Sequence, residues 1–418
     1  LRAFGRTSHY DEVMPKPLPR LRMDLDFLPS PLEDRPGLMM RDPFGYSDVT
    51  LIVPPPLVPL LAMFDGEQSE DELREAIYRM TNDLRSGEIM NHLKEALEKA
   101  GFLEGPVFEE LKEARHRAFA EAEARPPAHA GAAYPDEPGM LRAWMEQQGL
   151  ELGTSREDIL GIAAPHVSPE GGWSCYREAY RTLGPVLADR VFVVLGTSHY
   201  GEPEKFGLTR KDFVTPIGTA RTERALVDRL AAKAPRASKM EDYCHAVEHS
   251  IEFQVLFLQA ILGPEIRILP ILTGPFARSL YQGGLPEEDE GVREFFDALG
   301  ELNAAEGSRL CWVLGVDMAH MGRRYGDPIQ AEAQRGEMVE VAERDRERIR
   351  RLEEGDAEGF WELVRPNHDD LKWCGSAPFY TFLKAVPGAR GALRLYEQWN
   401  IDPQSVVSFA AMEFRRAA

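Results

Sequence analysis

The sequence predicts an α/β protein, built on a mainly parallel sheet with flanking helices and preceded by a small α+β domain. Two observations carry this. From about residue 128 onward, strand-like apolar runs alternate with helix-like segments, the pattern of crossover units that build a parallel sheet. Three of those runs, Ile159 to Pro165, Val191 to Gly196 and Leu310 to Val316, are apolar throughout, as strands buried on both faces are, and each leads into a histidine-bearing loop.

Residues 1–36 are rich in Pro and Arg, as in Pro15 to Arg22, carry no sustained periodicity and are expected to form an extended arm. A compact unit is expected over 37–107. It holds strand candidates at Leu38–Met40 and Thr50–Val53, then a Pro-led apolar helix over Pro56–Met63. Ser69 is placed to cap the next helix, with Glu70, Asp71 and Glu72 in the first turn where the helix dipole favours acids. A third helix over Gly87–Ala100 leads to the extended Phe102-Leu103-Glu104. A charged helical linker is expected over 108–127, stopped by Arg125-Pro126-Pro127, since proline lacks the amide donor and disfavours helix in its predecessor.

The second domain is expected over 128–418. Its strand candidates are Ile159–Ala164, Val191–Gly196, Ile266–Leu272, Leu310–Val316, Gly391–Gln398 and Val406–Phe414. Helices are expected at Leu141–Gln148, Glu223–Ala232, Ile251–Leu262, Gln330–Leu352 and Phe379–Ala385.

A chain of 418 residues exceeds the size at which a single core stops growing, which also argues for two domains. Against 49 Lys and Arg stand 69 Asp and Glu, and a formal charge of -20 excludes most nucleic-acid partners. No apolar run approaches the roughly 18 residues of a membrane span and no signal-peptide pattern opens the chain, so a cytoplasmic protein without membrane partners is expected. The cysteines Cys175, Cys244, Cys311 and Cys374 form no CxxC pair, so neither a disulfide framework nor a zinc finger is indicated.

Seven of the ten histidines lie from His129 onward. His166, His199 and His320 each follow an apolar run, and ligands of open α/β sheets collect outside the carboxyl ends of the strands. A lone histidine there is ordinarily a hydrogen-bonded structural residue; three in equivalent places suggest one site. Two imidazoles plus an anionic ligand, with positions left open, is the set that holds divalent iron or presents copper to a substrate. Asp317, three residues before His320, could supply the carboxylate or orient a ligand histidine. Cys374 precedes a helix-like segment, where a thiolate has a lowered pKa and serves as soft ligand or nucleophile; its bland alternative is a small buried residue, the assignment given to Cys311. His249 and Glu252 share a helix face at i, i+3 and could steady one another. GxSxG and Walker-type loops are absent, which leaves hydrolase triads and nucleotide phosphates without support.

An ordered series runs through these segments: AHAGAAYP from Ala128, APH at Ala164 to His166, LGTSHYG from Leu195, TPIGT from Thr215, EHSIEF from Glu248, LPILTG from Leu269, GVDMAHMG from Gly315 and CGSAPF from Cys374. Together they resemble the Memo family, whose microbial members are called AmmeMemoRadiSam system protein B. The resemblance implies a fold like the class III extradiol dioxygenases and one iron(II) or copper ion. By motif position His166, His199 and Cys374 would be its ligands, with Asp317 and His320 as the remaining polar pair, in proton transfer or orientation, and His249 as a further member of the site. It also implies a redox role beside a radical S-adenosylmethionine protein and a small partner protein. The chain departs from the family pattern after His166, where Val167 to Gly172 intervene, and after His199, where Tyr200 stands for a second histidine.

In the first domain, Leu60 to Ile77 and Leu93 to Glu104 resemble the winged-helix peptide-recognition domains of ribosomal peptide maturation systems, such as the peptide chaperone in pyrroloquinoline quinone biosynthesis. That likeness implies a peptide ligand added as a strand to an open sheet edge; the alternative is a helical domain used for dimerisation. For the whole chain two functions follow, a metal-dependent oxidoreductase acting on a delivered peptide, or a non-catalytic metal-binding or peptide-adaptor protein.

Overall fold

The computed structural model of the chain describes residues 17–150, 153 and 158–417. The part of the expected arm over 1–16 lies outside the described residues. The chain divides into two compact units, between Ala118 and Phe119.

In the first unit the segment after residue 16 is no free arm: Leu18, Leu21 and Leu25 are buried in the unit's core beside Leu60, Leu73, Leu97 and Phe102. The Arg22 guanidinium is buried with them because Asp42 and the Gly101 carbonyl accept its protons. Strands Asp26–Pro29, Leu38–Arg41 and Leu51–Val53 form an antiparallel sheet in that order. The apolar helix expected after them is a 3-10 helix over Pro55–Met63, in keeping with Pro59 in its interior, which removes an amide donor. Ser69 caps the helix Glu70–Thr81 in a full capping box with Glu72, and a second helix covers Ser86–Lys99. A helix over Pro106–Glu121 runs through the division.

The second unit is organised by β1 (Ile159–Ala164), α1 (Pro169–Tyr180), β2 (Val191–Thr197), α2 (Ser250–Leu262), β3 (Arg267–Thr273), β4 (Leu310–Gly315), α3 (Glu337–Glu354), α4 (Ser376–Ala385), β5 (Ala389–Asp402) and β6 (Ser405–Arg416). The central order is β1-β4-β2-β3, all parallel; β6 joins β1 antiparallel and β5 closes on β6. Val193, Leu195, Trp312 and Leu314 enter one core, Phe192, Val194, Cys311 and Val313 the other, so both faces of the sheet are covered and the strands read as continuous apolar runs. Helix α3 starts later than its periodicity suggests, behind Gly336 in a left-handed conformation. Three short strands at Phe206–Leu208, Asp212–Thr215 and Gly218–Thr222 have no counterpart in the sequence pattern.

Register decides where the site lies. Gly315 pairs with Ala164 on one side and with Gly196 on the other, so β1, β4 and β2 end level with one another. The residues that follow, Pro165-His166, Val316-Asp317 and Thr197-Ser198-His199, leave the sheet side by side. The two glycines also admit the start of α2: a Cβ on Gly315 would stand 2.2 Å from the Ser250 carbonyl oxygen, and one on Gly196 would stand 2.5 Å from Ser250 Oγ. Ser250 donates its hydroxyl to the Thr197 carbonyl at 2.8 Å, pinning the helix start to the end of β2 and delivering Glu248 and His249 to the strand ends. Among the described residues no helix is long and apolar enough to cross a membrane.

Candidate metal centre

His166 is buried, and its Nδ1 lies 2.9 Å from the Gly315 carbonyl oxygen. A carbonyl can only accept, so Nδ1 carries the proton and Nε2 presents its lone pair in the neutral ring. That nitrogen faces the Cys374 Sγ at 3.2 Å and Asp317 Oδ2 at 3.5 Å. Burial pulls the His166 pKa below the usual imidazole value, although the nearby thiol works the other way.

His199 is oriented by Glu248. The carboxylate accepts the His199 backbone N–H at 2.9 Å and its Nδ1–H at 3.0 Å, so Nε2 is the nitrogen left for the site. The same carboxylate lies 3.2 Å from Nδ1 of His249 and accepts the backbone N–H groups of His249 and Ser250. A carboxylate behind a ligand histidine fixes the ring and raises its basicity. Partial enclosure lowers the His199 pKa, but Glu248 and Cys374 outweigh it and hold it well above the ordinary value. Burial would raise Glu248, yet the two imidazoles keep it well below the carboxylate range.

The three rings enclose a common volume. Centroids of His166 and His199 are 4.9 Å apart and those of His166 and His249 are 5.1 Å apart, both pairs near perpendicular, while His199 and His249 stack at 5.0 Å. One ligand atom from each of the three lies within 4.8 Å of the others, a group able to hold a metal ion. For His166 and His199 the hydrogen bonds to Nδ1 identify that atom as Nε2.

Cys374 closes another side. Its loop is tied to both neighbouring strand ends, because its carbonyl accepts the Thr197 hydroxyl at 3.0 Å and the next amide, from Gly375, donates to the Asp317 carbonyl at 3.0 Å. Burial acts to raise the thiol, but His166 and His199 bring its pKa down to about 7. The lowering thus comes from imidazoles more than from the α4 terminus behind the loop. Asp317 accepts the backbone N–H groups of His166 at 2.9 Å and Val167 at 3.2 Å, so it braces the first histidine; burial raises its pKa, with His320 opposing. His320 gives Nδ1–H to the carbonyls of Met318 and Lys372 at 2.9 and 3.0 Å, packs edge-on against Tyr325 and is shifted down by burial.

Of the residues singled out in the sequence, His166, His199, His249, Cys374 and Asp317 come together, and His320 stands beside Asp317. The expected pairing of His249 with Glu252 does not occur. The Glu252 carboxylate is taken by Arg125, by the Tyr134 hydroxyl and by the backbone N–H groups of Ala128 and His129. Glu248 holds His249 instead, because it precedes α2 and turns back under the rings. Arg125, placed in the linker by its prolines, is fully buried in the second unit and donates to the carbonyls of His245 and Glu248. His129 is a further residue at the site: its ring lies edge-on to His249 at 5.6 Å. The cluster of seven histidines toward the carboxyl side was the signal that could have found it.

Imidazoles, a thiol and two buried carboxylates at the carboxyl ends of parallel strands define an α/β protein with a polar site whose histidines could hold a metal ion. The model of the Memo-like protein family matches residues 125–413. A MEMO1 family protein of Aquifex aeolicus (strain VF5) is 28% identical over 388 residues, covering 90% of this chain and 95% of its own length. One from Thermococcus kodakarensis is 28% identical over 305 residues, covering 70% of this chain and 99% of its own length. One from Thermus thermophilus is 28% identical over 299 residues, covering 71% of this chain and 84% of its own length. The chain belongs to the Memo family. The Thermococcus protein is matched almost whole by 70% of this chain, so the remainder is an addition relative to that protein, whereas the Aquifex alignment extends over 90%.

Proposed function

We propose that this Memo-family protein holds one iron(II) or copper ion through His166, His199 and Cys374 and has a redox role that depends on it. The observation that carries this reading is the convergence of three imidazoles with one ligand atom each within 4.8 Å of the others, Nδ1 of His166 and of His199 being tied to acceptors, and the Cys374 Sγ 3.2 Å from His166 Nε2. The donor chemistry fits the metal. Imidazole suits iron and copper, and a thiolate adds softness and the negative charge that a divalent ion favours. With a pKa of about 7, Cys374 supplies that thiolate near neutral pH. When bound, such an ion would supply one-electron chemistry at its open positions.

The chain's own groups have distinct tasks in this proposal. Glu248 orients His199 and His249, Asp317 braces His166 through its backbone, and His320, whose Nδ1–H is held by backbone carbonyls, moves protons at the edge of the site. The test is elemental analysis of protein purified without oxygen, paired with His199→Ala. About one equivalent of iron or copper, lost in the variant, is the expected result. A wild-type protein that takes up neither ion, even after reconstitution, sinks the reading.

A second reading, a peptide adaptor, is favoured by the first unit. A cavity of about 710 Å³ there is lined by Met23, Phe27, Leu38, Leu61 and Phe64, beside the strand Asp26–Pro29 that forms an edge of its sheet. An extended peptide could pair with that edge and place alternate side chains in the cavity. Anisotropy of labelled precursor peptides titrated with the full chain tests it, and failure of every candidate to bind removes it. The radical S-adenosylmethionine protein and the small partner protein remain proposed partners, to be sought by co-purification from cells that produce all three.

A further inference from the structure

Asp345 lies in the middle of α3, far in sequence from every ligand candidate and with no exposed surface. Its Oδ1 accepts the indole N–H of Trp373 at 2.7 Å, and its Oδ2 accepts the hydroxyls of Tyr396 at 2.7 Å and Ser408 at 2.6 Å. Two of these partners belong to the walls of the metal centre. Trp373 is the residue immediately before Cys374. Ser408 is bound to the other wall: its Oγ accepts the Ala319 N–H at 2.8 Å, its N–H goes to the Ala319 carbonyl at 2.9 Å, and its own carbonyl takes the Met318 N–H at 2.8 Å. Met318 and Ala319 are the two residues between Asp317 and His320. One carboxylate thus joins the arm that carries Cys374 to the arm that carries Asp317 and His320.

One turn further along α3, Arg348 strengthens the hold on Trp373. Its guanidinium lies over the indole at 5.2 Å and donates to Asp369 Oδ1 at 2.7 Å. Asp369 Oδ2 in turn accepts the Trp373 backbone N–H at 2.9 Å. The residue before the thiol is therefore fixed at its indole nitrogen, its ring face and its backbone. A carboxylate is costly to bury, and an apolar side chain of similar size would serve packing at least as well. What it adds is direction, since its three donors are held at set angles.

We propose that Asp345 is a positioning residue of the metal centre, setting the spacing between the Cys374 thiol and the Asp317–His320 segment. The inference rests on the metal-centre reading for its main readout. The variants are Asp345→Leu, which removes all three acceptor contacts, and Asp345→Asn, whose amide oxygen still accepts from Trp373 while its NH2 group meets hydroxyls that turn to accept. Metal-free protein is titrated with iron(II) for affinity and with cobalt(II) for the thiolate-to-metal charge-transfer band, and its folding is checked by thermal melting. Groups bonded directly to metal ligands are worth about 10- to 100-fold in affinity; Asp345 acts one residue further out, so Asp345→Leu is expected to lose about tenfold, the low end of that range, and to weaken the band, with Asp345→Asn close to wild type. A folded Asp345→Leu protein with wild-type affinity and an unchanged band overturns the assignment. Should Asp345→Leu fail to fold, Trp373→Phe, which deletes the indole N–H, decides in its place: a weakened band supports the positioning role and an unchanged one overturns it. Should wild type bind neither iron nor cobalt, the metal-centre reading falls separately. Iodoacetamide labelling of Cys374 then tests the spacing, with a rate altered about tenfold in Asp345→Leu in support and an unaltered rate against.

Discussion

Glu248 and His199 are joined at two points, the carboxylate accepting both the backbone N–H and the Nδ1–H of the same histidine. This fixes the ring without using its Nε2, so the pair should act as one unit in metal binding and in titration. Glu248→Gln is expected to weaken metal binding about 10- to 100-fold while leaving the fold intact, read by titration of the metal-free protein.

The pair also sets a pH window in the metal-free protein. His199 is raised above 6.5, so its contribution to stability is complete below that pH and fades as pH rises through the folded value. Glu248 is held below 4.5, so its contribution is complete above that pH and fades as pH falls through its folded value. Denaturant titrations should therefore show the largest deficit of Glu248→Gln between pH 4.5 and 6.5, shrinking on both sides. A deficit independent of pH would mean that the two groups are not coupled.

Cys374 should be the reactive thiol. Burial holds Cys175 and Cys244 far above the ordinary thiol range and Cys311 at about 12, whereas Cys374 is brought down to about 7. Alkylation of metal-free protein by iodoacetamide, followed by peptide mapping, is expected to fall on Cys374 with a rate that rises through a midpoint near pH 7. In His166→Ala the midpoint moves up, because the first of the imidazoles that lower it is gone. A wild-type midpoint at the unperturbed value of 9.0 would refute the coupling.

Gly315 is the place where α2 meets the sheet. A methyl group there meets the Ser250 carbonyl oxygen at 2.2 Å and the Gln254 side chain at 2.9 Å, and the first is backbone that cannot turn aside. Gly315→Ala is expected to push the helix start outward and lower stability by about 1–3 kcal/mol. Glu248 and His249 move with it, so metal affinity should fall together with the melting temperature. Unchanged metal affinity in the destabilised variant would show that the helix start does not set the site.

The parallel strands were legible because burial on both faces leaves no polar residue in the run: β1 occupies the same span as its apolar stretch, and β2 and β4 differ from theirs by a residue. The loops after them were legible as a site because histidine is an unusual residue at the end of a buried strand. What escaped the sequence depends on pairing across space. Glu248 and Glu252 lie one helical turn apart and look alike, yet one turns under the rings and the other meets Arg125, a choice made by a residue more than a hundred positions away. Gly196 and Gly315 read as ordinary strand glycines until their register shows them side by side beneath Ser250. In the first unit, Leu18 and Leu21 carry too little periodicity to announce a core position.

Arg125 is the stabilising counterpart of this arrangement. Its guanidinium is fully buried, pairs with the buried Glu252 and donates to the carbonyls of His245 and Glu248. Removing one partner of such a pair leaves the other charge unsolvated, which costs about 3–5 kcal/mol. Arg125→Met is expected to lose that much in denaturant unfolding, and Arg125→Met with Glu252→Gln to lose less than the single change. A double variant as unstable as the sum of its parts would show that the two are not energetically coupled.

The third ligand can be settled by comparing two substitutions. Cys374 Sγ lies 3.2 Å from His166 Nε2, and the His249 ring lies 5.1 Å from the His166 ring on centroids, so both flank the same lone pair. They differ in charge. Two imidazoles and a thiolate leave a divalent ion with one net positive charge, whereas three imidazoles leave it with two, a poorer outcome in a partly buried site. A thiolate also binds copper(I) and iron(II) more firmly than a third imidazole would. Cys374→Ser is therefore expected to lower affinity for either ion by about 100-fold or more and to abolish the charge-transfer band of the cobalt-loaded protein, while His249→Ala keeps the band and loses about tenfold. The reverse pattern, with the band absent from wild type and metal lost in His249→Ala, would make the three histidines the ligands and leave Cys374 as a thiol beside them.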